Sequence, residues 1–390
     1  MKRFAMLAAM VALGACERVE TGVEPTENGA DFTRYVAMGT SVSMGYASDG
    51  VVAASQTTSW PKLLAADIGA TFTQPLIESP GCRPPLIAPL SLLKRLDGSL
   101  SITNTLVCTE NSAGVTLPTQ NVAVTAQTTI DAFTLAPTPN TVAARVLAPG
   151  QTQVNAMKSQ NPTFVSVEFG GGEVLPALNG LVSVNTTIRS IDDFTSGYQN
   201  IIDAVKQTGA KALLVTLPAD VAKFPAVRTA AEIASQRSAF ALLNVSVNAN
   251  CDASANLVTF LKLLSTMFNA ATRAAAGLGP YDLSCEDVFS TADGILSPAE
   301  VATLNTLIGQ INSYITTKAN ENGYATMSLG TLYDTAKSGV AFDLTTILTS
   351  NTPFGPNMSL DAVHPSAAGN AILAAAAKAA IIAKYGSITK

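Results

Sequence analysis

Tyr35-Val36-Ala37-Met38-Gly39-Thr40-Ser41-Val42-Ser43-Met44-Gly45 is the stretch of this 390-residue chain that decides how it folds. The apolar run Tyr35 to Met38 reads as a buried strand, and Gly39 ends it. Glycines on both sides of a serine permit a tight turn from strand into helix, because glycine reaches backbone angles closed to other residues. Such a turn presents the Ser41 hydroxyl at the start of a helix, where backbone N–H groups point outward. Ligands of open parallel sheets sit beyond the carboxyl ends of the strands. The position therefore suits a nucleophile, with Ser43 supporting the turn.

Working outward, the same alternation repeats. Short apolar runs at Thr71 to Gln74, Phe164 to Phe169, Ala212 to Leu217 and Tyr324 to Leu329 read as four further strands. Helical segments lie between them. Ser59 precedes a helix with Pro61 early in its first turn, 195–208 is helical, and Ser297-Pro298-Ala299-Glu300 is a capping box that opens a helix to about Asn322. An Ala-rich helix follows Ser366; Lys378 and Lys384 interrupt it, which argues against a membrane span. Strand and helix in alternation imply a five-stranded, mostly parallel sheet covered on both faces. Two stretches break the rhythm, about 82–120 and 225–295, the second mostly helical. Both read as insertions around a site within one domain, 33–390.

The chain has one histidine, His364, in Asp361-Ala362-Val363-His364-Pro365-Ser366. Any imidazole acid–base chemistry must come from it, and the carboxylate three residues earlier is placed to orient the ring. With Ser41, these residues compose the parts of a Ser-His-Asp acyl-transfer site.

Four segments together resemble the GDSL-type, or SGNH, family of serine esterases and lipases. They are Gly39 to Gly45, Asn121-Val122-Ala123-Val124-Thr125-Ala126, Gly170-Gly171-Gly172-Glu173-Val174-Leu175, and Asp361 to Pro365. The resemblance implies a flavodoxin-like three-layer α/β/α sandwich. It also implies Ser41 as nucleophile, His364 as general base, Asp361 as its partner, and backbone N–H groups of Ser41, Ala126 and Gly172 as the oxyanion hole. Four positions depart from the family pattern. Thr40 replaces an aspartate, Ala126 a glycine, Gly172 an asparagine whose amide would be a donor, and Glu173 an aspartate. Losing one oxyanion donor costs ~10²–10³ in rate. If that amide is all that is missing, Gly172→Asn raises activity. Asn179 is an alternative donor, and Glu173 an expected hydrogen-bond acceptor behind the site. The resemblance leaves two other readings open: a weakly active or non-catalytic ligand-binding relative, and a polysaccharide O-deacetylase. The expected partner is an ester, either a lipid or an acylated glycan, with no cofactor.

The N-terminus is basic at Lys2 and Arg3, then apolar from Phe4 to Ala15, too short to span a bilayer. Its end, Leu13-Gly14-Ala15-Cys16, resembles the bacterial lipobox, which implies a signal peptide over 1–15, lipidation of Cys16 and a tether over 16–32. Glu17 is not the aspartate of inner-membrane retention, so the expected address is an exported lipoprotein on the outer membrane, facing periplasm or exterior. The −5 net charge becomes −7 once Lys2 and Arg3 leave with the signal, and an acidic surface argues against nucleic acid. Cys82, Cys108, Cys251 and Cys285 remain. An even number in an oxidising compartment favours disulfides. Three pairings exist, and the sequence-local one, Cys82–Cys108 with Cys251–Cys285, is expected. One histidine and no CxxC leave no common zinc site.

Overall fold

In the computed structural model, which describes residues 29–102, 108–337 and 340–390, the central sheet has four parallel strands. Their order is Ala325–Ser328, Lys211–Thr216, Phe164–Glu168, Tyr35–Gly39. The Tyr35–Gly39 and Phe164–Glu168 strands are buried at every position. Continuous burial requires cover on both faces, the mark of a parallel sheet between helix layers. The Ala367–Tyr385 helix packs on the Trp60–Ile68 helix and on Ala325–Ser328, while Pro298–Asn322 packs on Ile191–Thr208 and on Lys211–Thr216. The result is a three-layer α/β/α sandwich.

The fifth strand is not where the sequence pattern put it. Thr71 to Gln74 adopts no strand. The place beside Tyr35–Gly39 is taken by 121–124: Ala37 N–H donates to the Gln120 carbonyl (2.9 Å), Val122 N–H to that of Ala37 (2.8 Å), and Val124 N–H to that of Gly39 (3.0 Å). Counting this segment, the spatial order of the strands is 2-1-3-4-5, the doubly wound flavodoxin-like order. Both runs are short, and Thr73 does bond Asn121, so hydropathy could not choose between them.

Local signals explain the helix ends. Ser297 N–H and Oγ both donate to Glu300 (2.9 Å each), closing the expected capping box at the start of Pro298–Asn322. Ser366 Oγ accepts the Gly369 N–H at the start of Ala367–Tyr385. That last helix is long and apolar enough to cross a membrane, yet it turns Leu373, Ala377, Ile381 and Tyr385 into the core.

The 225–295 insertion is helical as expected, chiefly in Phe260–Ala275, but it also holds small sheets. Val227–Thr229, Leu257–Thr259 and Ile295–Leu296 form one, and Val245–Val247 pairs with Tyr281–Leu283. Both expected disulfides form, Cys82–Cys108 and Cys251–Cys285. Pairing begins within the stretch read as tether, since Ala30–Asp31 lies parallel to Ile388–Thr389. Residues 1–15 and Cys16 lie outside the described residues.

Candidate active site

Gly39 closes its strand with φ 150° against the neighbouring strand; a Cβ there would meet the Glu168 carbonyl oxygen at 2.4 Å. This close approach is why the strand must end in glycine. Gln153, fully buried, clamps the same residue from the other side, accepting Gly39 N–H (2.9 Å) and donating to its carbonyl (3.0 Å). The chain then enters the one-turn helix Ser41–Met44 and leaves it through left-handed Gly45.

Glu168, at the end of the next strand, holds this turn. Its carboxylate accepts Thr40 N–H (3.0 Å), Thr40 Oγ–H (2.8 Å) and Ser43 N–H (3.1 Å). Burial raises its pKa, and these hydrogen bonds offset part of the rise. Thr40, which departs from the family's aspartate, therefore borrows a carboxylate from the adjacent strand. In sequence Glu168 is one residue of an apolar run. The signal that could have marked it is its charge at the strand end that faces Ser41. Ser43 supports the turn through its backbone, with its N–H on Glu168 and its carbonyl on Asn121 Nδ2 (2.9 Å).

Ser41, His364 and Asp361 come together. Ser41 Oγ lies 2.8 Å from His364 Nε2, and Asp361 Oδ2 lies 2.8 Å from His364 Nδ1. A carboxylate on Nδ1 fixes the ring tautomer so that Nε2 can accept the serine proton. Asp361 also takes the N–H groups of Val363 (2.9 Å), His364 (2.8 Å) and Asp49 (2.6 Å) and the Ser359 hydroxyl (3.0 Å). Burial pushes its pKa up, but the imidazole and these donors win and hold it at about 2. For His364 burial pushes the pKa down, and the charge and hydrogen bond of Asp361 overcome it, so the net shift is upward.

Behind the carboxylate lies a layer that sequence reasoning missed. Asp49 accepts from Arg83 (2.9 Å) and from buried Arg95 (2.5 Å), and Tyr46 donates to it (3.2 Å) while its ring packs on His364 with centroids 4.9 Å apart. Ser48 N–H donates to Ser359 Oγ (2.9 Å). The first insertion fastens this loop, with Cys82 N–H on the Val51 carbonyl and Leu86 N–H on that of Ser48. Asp49 and Arg95 are 46 residues apart, and no local pattern connects them.

The oxyanion-hole positions are arranged differently from the expectation. Ala126 has φ 61°, the left-handed region that favours the glycine it departs from. Gly172 does not face the cavity. A Cβ on it would meet the Gln127 carbonyl oxygen at 2.2 Å, so no asparagine fits there, and the expected gain from Gly172→Asn is overturned on steric grounds. Gly171 instead lines the cavity beside Ser41. Glu173 accepts Thr129 N–H (2.6 Å), which ties down the loop after Ala126 and touches none of the three central residues; burial lifts its pKa to about 7. Asn179 is used locally, its side-chain oxygen accepting Leu181 N–H (2.9 Å).

Two concavities meet at His364. One, of about 540 Å³ with the space open to solvent, contains Ser41 and Gly171 and runs between Leu175, Leu217, Phe224 and Tyr333. The other, of about 690 Å³ with the space open to solvent, contains Asp361 and is walled by Leu86, Phe260, Leu261 and Leu264. Among the described residues no group of three His, Cys, Asp or Glu side chains could hold a metal ion.

A family model described as GDSL-like Lipase/Acylhydrolase matches residues 35–377. Solved structures similar to the chain include a GDSL-like lipase from Bacteroides thetaiotaomicron (11% identity, covering 90% of this chain and 87% of that one, TM-score 0.36). An extracellular lipase from Streptomyces rimosus is 13% identical, covering 89% and 100%, with TM-score 0.37. An acetylxylan esterase from Geobacillus stearothermophilus is 12% identical, covering 90% and 95%, with TM-score 0.38. No curated protein sequence matches the chain.

Proposed function

The chain belongs to the GDSL-like lipase/acylhydrolase family, and so to the ester hydrolases; we propose that it cleaves carboxylic esters through an acyl-enzyme on Ser41. The observation that carries this reading is the unbroken relay Ser41 Oγ, His364, Asp361, with both links at 2.8 Å. Ser41 Oγ bonds the ester carbonyl carbon as its proton passes to His364 Nε2. The imidazolium that forms is stabilised by Asp361. The proposed oxyanion donors are the backbone N–H groups of Ser41, Ala126 and Gly171, the last lining the cavity beside Ser41. As the tetrahedral intermediate collapses, His364 protonates the departing alkoxide. Water then attacks the acyl-enzyme as its proton passes to His364, and when the second tetrahedral intermediate collapses His364 returns that proton to Ser41 Oγ as the acyl–Oγ bond breaks and the acid leaves.

A panel of p-nitrophenyl esters tests this. Ser41→Ala and His364→Ala each lower kcat/KM by about 10⁴-fold or more, and a fluorophosphonate labels Ser41 in the unmodified protein. Absence of turnover together with absence of labelling would refute the reading.

The setting proposed for this chemistry is a bacterial outer-membrane surface, supported by Lys2, Arg3 and the Leu13 to Cys16 segment. Cells fed a clickable fatty acid incorporate it into the full-length protein and not into Cys16→Ser. Equal labelling of both would remove the anchor from the proposal.

A further inference from the structure

The reaction assigns the two concavities to opposite halves of a substrate. The acyl carbon becomes bonded to Ser41 Oγ, so the acyl group belongs in the cavity that contains Ser41 and Gly171. The leaving oxygen must receive its proton from His364 Nε2, so the alcohol half departs across the ring toward the other groove, which contains His364 and Asp361 but not Ser41.

That second groove is a product of the insertions. Leu86 comes from the first, and Phe260, Leu261 and Leu264 from the second. The wall is fixed in place: Phe260 N–H donates to the Ala226 carbonyl (2.7 Å), its ring packs edge-on against Phe354 at 5.0 Å, and Ala226 N–H donates to the Ala362 carbonyl (3.0 Å) beside His364. The polar residues that reach the groove are already engaged. Asp49 is held by Arg83 and Arg95, Asp361 by His364, and Thr259 Oγ by Lys262 N–H. A sugar placed there would bury hydroxyls with few partners, which binding sites penalise heavily. An alkyl group would cover Leu86, Phe260, Leu261 and Leu264 at no such cost.

We infer that the groove between Leu86 and the Phe260–Leu264 face binds an apolar alcohol moiety, so that the substrates are esters apolar on both sides of the carbonyl. The inference rests on the ester-hydrolase reading above and adds the side of the substrate that the insertions select. Leu261, half exposed at the rim, is the residue to change without disturbing the core.

The test holds the acyl group constant as butyrate and lengthens the alcohol from methyl to hexyl. Hydrolysis (kcat/KM) rises about two- to fourfold per methylene until the groove is filled. Leu261→Asp brings the hexyl-to-methyl ratio of kcat/KM down about tenfold. A flat alcohol series, an unchanged ratio in the variant, or a preference for a butyrylated sugar would each overturn the inference and leave ester hydrolysis standing. A binding measurement keeps the two readings separable. In calorimetric titration the Ser41→Ala protein binds hexyl butyrate more tightly than methyl butyrate, and the difference disappears in Ser41→Ala/Leu261→Asp. Equal binding of the two esters overturns the inference whatever the turnover assays show.

Discussion

At the scale of single residues, His364 carries the clearest pH signature. In the proposed reaction His364 is the general base, and a general base works only when unprotonated. Burial lowers the pKa of His364 and Asp361 raises it further than burial lowers it, so the acid limb of kcat/KM has its midpoint above the ordinary imidazole value of 6.5. A pH–rate profile on a neutral ester checks this, and a midpoint below 6.5 would contradict it. The stability linked to His364 runs the other way. A folded-state pKa above the unfolded one stabilises the fold below the unfolded value and loses that contribution as pH rises through the folded one. Ser41, His364 and Asp361 were legible in the sequence because each stands in a short segment with a rare composition, the histidine having no competitor. Glu168 and Asp49 were not. One reads as part of an apolar strand and the other as a loop acid, and each gains its meaning from partners far away in the chain.

At the scale of elements, the turn Gly170–Gly172 shows what motif comparison missed. The sequence treats Gly172 as a lost side chain. The structure shows a backbone position closed by Gln127, where a Cβ would sit 2.2 Å from a carbonyl oxygen. Gly172→Ala therefore destabilises the fold by about 1–3 kcal/mol, the usual range for overpacking, and lowers turnover because the displaced loop leads back to Ala126. Chemical denaturation beside an esterase assay checks both, and an alanine variant as stable and active as the parent would show that the loop yields freely. Helices with a capping box or a serine cap, such as Pro298–Asn322 and Ala367–Tyr385, were readable from their ends. The edge of the sheet was not. Thr71–Gln74 and 121–124 are both short and run side by side, and only backbone hydrogen bonding decides which pairs with Tyr35–Gly39.

At the scale of the whole molecule, the two insertions are part of the site's construction, one buttressing the loop under His364 and the other walling the groove beside it. Each is closed by its own disulfide, spanning 26 and 34 residues. Opening the Cys251–Cys285 loop by Cys251→Ala/Cys285→Ala costs roughly 2–4 kcal/mol, the range expected for closing a loop of that length. A thermal melt detects it as a lowered Tm, and an unchanged Tm would mean that the second insertion is held by packing alone. The alternating run of strands and helices was legible because parallel sheets need it. The small sheets inside 225–295 were not, since strands of two or three residues leave almost no periodicity to read.

The pairing of Ala30–Asp31 with Ile388–Thr389 fixes one more property. Residue 30 precedes the Tyr35–Gly39 strand, which leads into Ser41, so the two ends of the fold are stitched together at the pole where the central strands begin, one strand length from the pole that carries Ser41. Ala30 N–H donates to the Ser387 carbonyl across that seam (2.8 Å). A short peptide from 390 to 29 could join the ends and a new opening could be cut elsewhere, leaving the chemistry untouched.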